Sequence, residues 1–173
     1  LVGHATTGTL SSAENNTAVG INAMDAITSG DKNTIMGFDA GTALTVGIRQ
    51  TFIGNDAGKT LTGGEGNVFI GDSAGDSANT NASSNTAVGK SALSSIGNKN
   101  YNTALGKDSG VNINAQYNLT LGYDSGDNIT SGDGNVIIGS VDAASATGDR
   151  QLVVAGYDGS TTTTWISGDS NGQ

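Results

Sequence analysis

One five-residue block recurs ten times at a near-constant interval, and that register leaves few folds open. The block is Asn-Thr-x-apolar-Gly. It reads NTAVG ending at Gly20, NTIMG at Gly37, QTFIG at Gly54, NVFIG at Gly71 and NTAVG at Gly89, then NTALG at Gly106, NLTLG at Gly122 and NVIIG at Gly139. A truncated LVG opens the series at Gly3 and a degenerate LVVAG closes it at Gly156. Successive glycines lie 17, 17, 17, 17, 18, 17, 16, 17 and 17 residues apart. After the glycine most copies continue as GFDAG, GNDAG, GDSAG, GKDSG or GYDSG. An apolar residue follows seven positions after the glycine, in a column that runs through Leu10, Ile27, Leu44, Leu61, Ala78, Ile96, Ile113, Ile129 and Ala146. Turn signals such as Ser-Gly-Asp-Lys and Gly-Gly-Glu-Gly complete the period. Seventeen residues are too few for a helix pair. They suit one coil of a β-solenoid, written as strand, tight turn, short strand and turn, with each coil bonded to the next.

Composition agrees with that reading. Gly, Asn, Thr and Ser number 28, 18, 21 and 18, about half of the 173 residues. These are poor helix formers, which excludes a mostly helical chain. Leu, Ile, Val and Phe total only 34, so a folded state depends on strict periodicity. The formal net charge of −9 argues against nucleic acid and against an anionic membrane surface, since both need a basic footprint. Cysteine is absent, so disulfides and thiolate sites are excluded. No apolar run reaches transmembrane length, and the first residue is Leu1, which reads as a fragment of a longer chain.

Strand alternation places the residue before each block glycine on the same face as the Thr two positions earlier. The column of Val19, Met36, Ile53, Ile70, Val88, Leu105, Leu121 and Ile138, with Thr17, Thr34, Thr51, Thr86 and Thr103, is therefore expected to fill the interior. The first block position holds Asn16, Asn33, Gln50, Asn67, Asn85, Asn102, Asn118 and Asn135, and amides stacked at about 4.8 Å can form a hydrogen-bonded ladder. The middle block position then faces outward. It holds Ile35, Phe52, Phe69 and Ile137 among smaller residues, too apolar for water, and is expected to pack against other copies of the chain.

These blocks resemble the repeats of phage tail-fibre proteins. They are similar also to the head repeats of YadA-like trimeric autotransporter adhesins, whose period is shorter. The terminal TTTTWISGDSNGQ is similar to the segment that follows such repeats in fibres carrying a C-terminal chaperone. The register predicts nine to ten coils, and the resemblance implies a homotrimer in which each chain winds them as a left-handed parallel β-roll. It implies a virion or extracellular location and a structural, adhesive role toward a host cell-surface glycan or protein. The bacterial autotransporter head is the alternative within that class. A monomeric ice- or glycan-binding solenoid is the alternative outside it.

Catalytic signals are weak. The only histidine is His4, and Gly71-Asp72-Ser73-Ala74-Gly75 matches a nucleophile elbow only in letters, since GFDAG and GNDAG occupy the same register. No enzyme and no cofactor are expected. Asp39, Asp56, Asp108 and Asp124 recur second after the block glycine, where neighbouring pairs could share a cation or simply serve their turns. An ice-binding face would need an outward Thr array, whereas the block Thr is read as inward. Residues 1–156 are thus assigned to the solenoid, and 157–173 to a capping and connecting segment leading to a further domain. Trp165 and Ile166 are the candidates for covering the last coil.

Overall fold

The computed structural model describes residues 12–78, 81–171 and 173. Val2, Gly3, His4 and Leu10 lie outside the described residues. No helix occurs among the described residues. Among these residues nine strands of three or more residues stack in parallel, one per coil. They are β1 (Thr17–Val19), β2 (Thr34–Met36), β3 (Thr51–Ile53), β4 (Val68–Ile70), β5 (Thr86–Val88), β6 (Thr103–Leu105), β7 (Leu119–Leu121), β8 (Val136–Ile138) and β9 (Leu152–Tyr157). A tenth, β10 (Thr162–Gly168), folds back antiparallel on β9. The result is a β-solenoid of about eight turns. At about 4.8 Å per step it is a rod roughly 38 Å long.

Each period contains one strand, not two. The remainder is a run of turns whose amides donate to the neighbouring coil, as in Gly41 N to Ala57 O at 2.9 Å and Gly58 N to Ala74 O at 2.9 Å. The second short strand expected after the turn does not form, because left-handed residues at Asp39, Asp56, Ser73, Asp108 and Asp124 (φ between 49° and 57°) bend the chain there. The block glycines take φ between 111° and 146° from Gly20 to Gly139. A Cβ on Gly54 would strike the carbonyl oxygen of Gly71 one coil on, so the position tolerates no side chain.

The amide column forms one continuous chain of hydrogen bonds. The Asn33 backbone N–H and side-chain Nδ2 both donate to Asn16 Oδ1, at 2.9 and 3.0 Å. Gln50 N donates to Asn33 Oδ1 and Asn67 N to Gln50 Oε1, each at 2.9 Å. The pattern continues through Asn85, Asn102, Asn118 and Asn135. The other amide proton typically reaches a turn carbonyl, as in Asn85 Nδ2 to Lys99 O at 2.8 Å. The ladder has one more member than the blocks suggest: Gln151 N donates to Asn135 Oδ1 at 2.8 Å. That fixes the register of the last block. Val153 pairs with Ile137 and Val154 with Ile138, so LVVAG is shifted by one and Ala155 stands in the glycine position.

The interior is the reverse of the expected one. Ala18, Ile35, Phe52, Phe69, Ala87, Ala104, Thr120, Ile137 and Val153 point inward and are buried, together with Ile27, Leu44, Leu61, Ile96, Ile113 and Ile129. The ladder amides decide this. They must be buried and bonded, and strand alternation puts the residue two positions on, the middle of the block, on their side. Phe52 and Phe69 stack on each other at 5.1 Å with planes 10° apart.

Inside four of the coils, volume is traded between two positions six residues apart; at Ala104 the partner stays Gly110, and side chains of Leu93, Ile113 and Thr120 crowd that position instead. Phe52 and Phe69 sit above Gly58 and Gly75, where a Cβ would come within 2.6 and 2.5 Å of the rings. Where the strand residue is Ala18 or Ala87, the partner is instead the buried Met24 or Leu93, at φ 56° and 50°. Two large residues keep a strained backbone because they fill space an alanine leaves empty.

Two outcomes are expected from this packing. Asn85→Ala orphans the Asn102 N–H and the Lys99 carbonyl, and chemical denaturation should show a loss of about 2–5 kcal/mol. Phe52→Ala should cost about 3–5 kcal/mol. Adding Gly58→Leu to it copies the Ala87–Leu93 pairing and should recover a measurable part, whereas Gly58→Leu alone should be the most damaging of the three.

Candidate interaction surface

Inverting the faces exposes a different apolar column. Val19, Met36, Ile53, Ile70, Val88, Leu105, Leu121, Ile138 and Val154 stand in register on the outer face of the sheet. Met36 is 47% exposed and Leu121 40%. Beside them run Thr17, Thr34, Thr51, Val68, Thr86, Thr103, Leu119, Val136 and Leu152. Ile21 and Phe38, just past their strands, are also exposed, and Ile166, opposite Val154 in β10, extends the column at the other end. Ile35, Phe52, Phe69 and Ile137 are therefore corrected from interface to core, since each is wholly buried within its own chain. The block Thr residues likewise face outward, not inward.

The four recurrent aspartates sit in left-handed turns along one edge. Lys59 Nζ contacts Asp39 at 3.2 Å and Asp56 at 2.8 Å, bridging two coils where a cation had been considered. Asn22 donates to Asp39 at 2.8 Å, and this bond, with Lys59, holds the Asp39 carboxyl below its usual range. Asp56, and then Asp39, raise the Lys59 ammonium. Lys107 pairs with Asp108. Among the described residues no group of three or more His, Asp or Glu could hold a metal. Ser73, at φ 57°, is one more turn residue of this edge.

At the last coils a cleft of about 370 Å³ is lined by Asp124, Asp127, Ser140, Val141, Asp142 and Thr162. Burial, then a hydrogen bond to Asp142 and the charges of Asp142 and Asp108, raise the Asp127 carboxyl to about 6. Trp165 and Ile166 lie on β10 and remain largely exposed. The Trp165 ring rests over Gly156, and it is strand β10 itself that covers the edge of β9.

No protein-family model, no curated protein and no solved structure matches this chain.

The Asp127–Asp142 pair has a pH consequence. The folded chain keeps a proton that the unfolded chain releases at the ordinary carboxylate pKa. Stability should therefore fall as pH rises from that range to about 6, and level off above it. Asp142→Asn should flatten this slope and raise the melting midpoint at neutral pH, as followed by thermal melts across the range.

Proposed function

We propose that this chain is a structural and adhesive segment of a homotrimeric phage tail fibre. In this reading three left-handed β-rolls associate side by side to form a stiff rod that presents or spaces the host-recognition surface. The observation that carries it is the outer apolar column, which runs the full length of the solenoid at one residue per coil. A face of that length, apolar from Val19 to Ile166, calls for a cover. A second copy supplies the same column at the same coil spacing, so contacts match row by row, and closed rotational symmetry limits the assembly. The resemblance of the NTAVG-type blocks to fibre repeats favours three copies and an extracellular setting on the virion. The regular outer surface suits a role that binds and positions, without turnover or a cofactor. A host glycan or protein is the partner.

One observation favours a second reading. The outward Thr17, Thr34 and Thr51, then Thr86 and Thr103, form an in-register array on a parallel sheet, the arrangement an ice-binding monomer would use. Val68, Leu119 and Val136 interrupt it.

Light scattering separates the two. The fibre reading expects a particle of three times 17.1 kDa. Met36→Asp with Ile53→Asp should yield folded monomers, because both side chains leave the coil interior untouched. A wild-type monomer at micromolar concentration that shows thermal hysteresis overturns the fibre reading.

A further inference from the structure

The residue immediately before each ladder amide forms a column of its own, at a corner beside the sheet. It reads Asn15, Lys32, Arg49, Gly66, Ser84, Tyr101, Tyr117, Gly134 and Arg150, and among these every non-glycine residue has φ between 50° and 62°. Glycine takes this conformation without strain, as Gly66 and Gly134 do, while an aromatic residue does not. Tyr101 and Tyr117 nevertheless occupy two adjacent coils. Their rings stack at 5.1 Å with planes 7° apart, yet Tyr101 stays 52% exposed and Tyr117 59%. Each ring covers one face of its neighbour, so the exposure that remains lies on the outer faces and edges.

The two outer faces differ. Above Tyr117, the Arg150 stem leans over Gly134, with Cγ 3.5 Å from where a Cβ would stand. Below Tyr101 the column shrinks to Ser84 and then Gly66, whose missing Cβ would meet nothing within 4 Å. Arg49 ends this gap three coils from Tyr101, roughly 14 Å away at the coil spacing. It is ion-paired with Glu65, and both side chains are more than half exposed. Ser83 Oγ accepts from Glu65 N at 3.0 Å and donates to Asn81 O at 3.2 Å, which anchors the Glu65 backbone beside the gap. The gap therefore has an aromatic wall at Tyr101, a floor of the small residues Ser84 and Gly66, and a carboxylate–guanidinium pair at its far end.

We infer that this gap is a saccharide subsite that stacks one neutral pyranose on the outer face of Tyr101. An aromatic face suits a ring whose axial C–H bonds all lie on its faces, as in a β-linked gluco-configured sugar. Adjacent equatorial hydroxyls can bridge the two oxygens of Glu65 or the fork of Arg49, which are charge-assisted partners. The net charge of −9 disfavours anionic polysaccharides and nucleotides, the other ligands that stack on tyrosine. The site lies within one chain. Only its biological use rests on the adhesive reading above, and repetition on each copy of a fibre would turn a weak contact into avidity.

Cellohexaose is the probe, titrated against the wild-type protein while the tyrosine ring resonances are followed by NMR. The expected result is saturable binding with a Kd on the order of 1 mM, with Tyr101 signals shifting most. Tyr101→Ala should weaken it by about tenfold or more. Glu65→Gln should also weaken it while leaving the melting midpoint unchanged, because an exposed ion pair contributes little to stability. The inference is overturned by a silent wild-type titration, by binding that survives both substitutions, or by binding lost only in Trp165→Ala. A nucleotide such as AMP that shifts Tyr101 where cellohexaose does not also overturns it. Binding to cellohexaose by a protein that proves monomeric, or that fails to adsorb to any cell, upholds this subsite and removes the fibre reading instead.

Discussion

The fold hangs on the hydrogen-bonded amide ladder from Asn16 to Gln151. Each amide oxygen accepts from the backbone N–H of the next ladder residue, and most of the amide nitrogens return a bond as well. A strand of three residues is too short to hold register by itself. The ladder locks every strand start to the strand below it, and from Asn33 onward its amides are buried, where an unmade bond is most costly. The one insertion and the two deletions in the repeat are absorbed in turns, and the ladder passes through them unbroken at Asn85, Asn118 and Gln151.

The rest of the coil is fitted around that column. Block glycines let successive coils approach so closely that no Cβ could be placed between them. The interior is narrow, so the strand residue and the turn residue six positions later share one volume. Phe52 with Gly58 and Ala87 with Leu93 are two solutions of the same constraint. The surfaces that the ladder does not need are the outer aliphatic column, the aspartate–lysine edge and the corner that carries Tyr101 and Tyr117. Because these surfaces repeat with the coil, a solitary departure such as the tyrosine pair stands out against a regular background.

Much of this was legible in the residues. The near-constant interval between block glycines marked one coil per period and the parallel stacking, and the Asn column marked where amides recur at the spacing of a ladder; the second short strand read into each period is turn instead. Which face of the strand is inside was not legible from apolarity, because both faces of TIM, TFI and VII are apolar. The parity of the buried Asn33 and Gln50, two residues before Ile35 and Phe52, held the answer, and only the burial of those amides made it count. The glycine at position six after Phe52 and Phe69, against Leu93 after Ala87, was a second readable signal at those coils, although Ala104 followed by Gly110 does not repeat it.

The sequence alone determined the architecture, because a repeat at fixed spacing forces each coil to satisfy its backbone on identical neighbours. The tertiary structure decided what faces water. Whether Met36 or Phe52 lies inside depends on which side of a three-residue strand the chain closes around, and closure is a property of the whole turn run. It also decided the end of the rod. LVVAG offers two registers by its letters, and pairing of Val153 with Ile137 selects one because Gln151 can then bond to Asn135. The nearness of Tyr101, Tyr117 and the Arg49–Glu65 pair likewise exists only once coils stack, since stacking converts 16 to 18 residues of chain into one step of the solenoid.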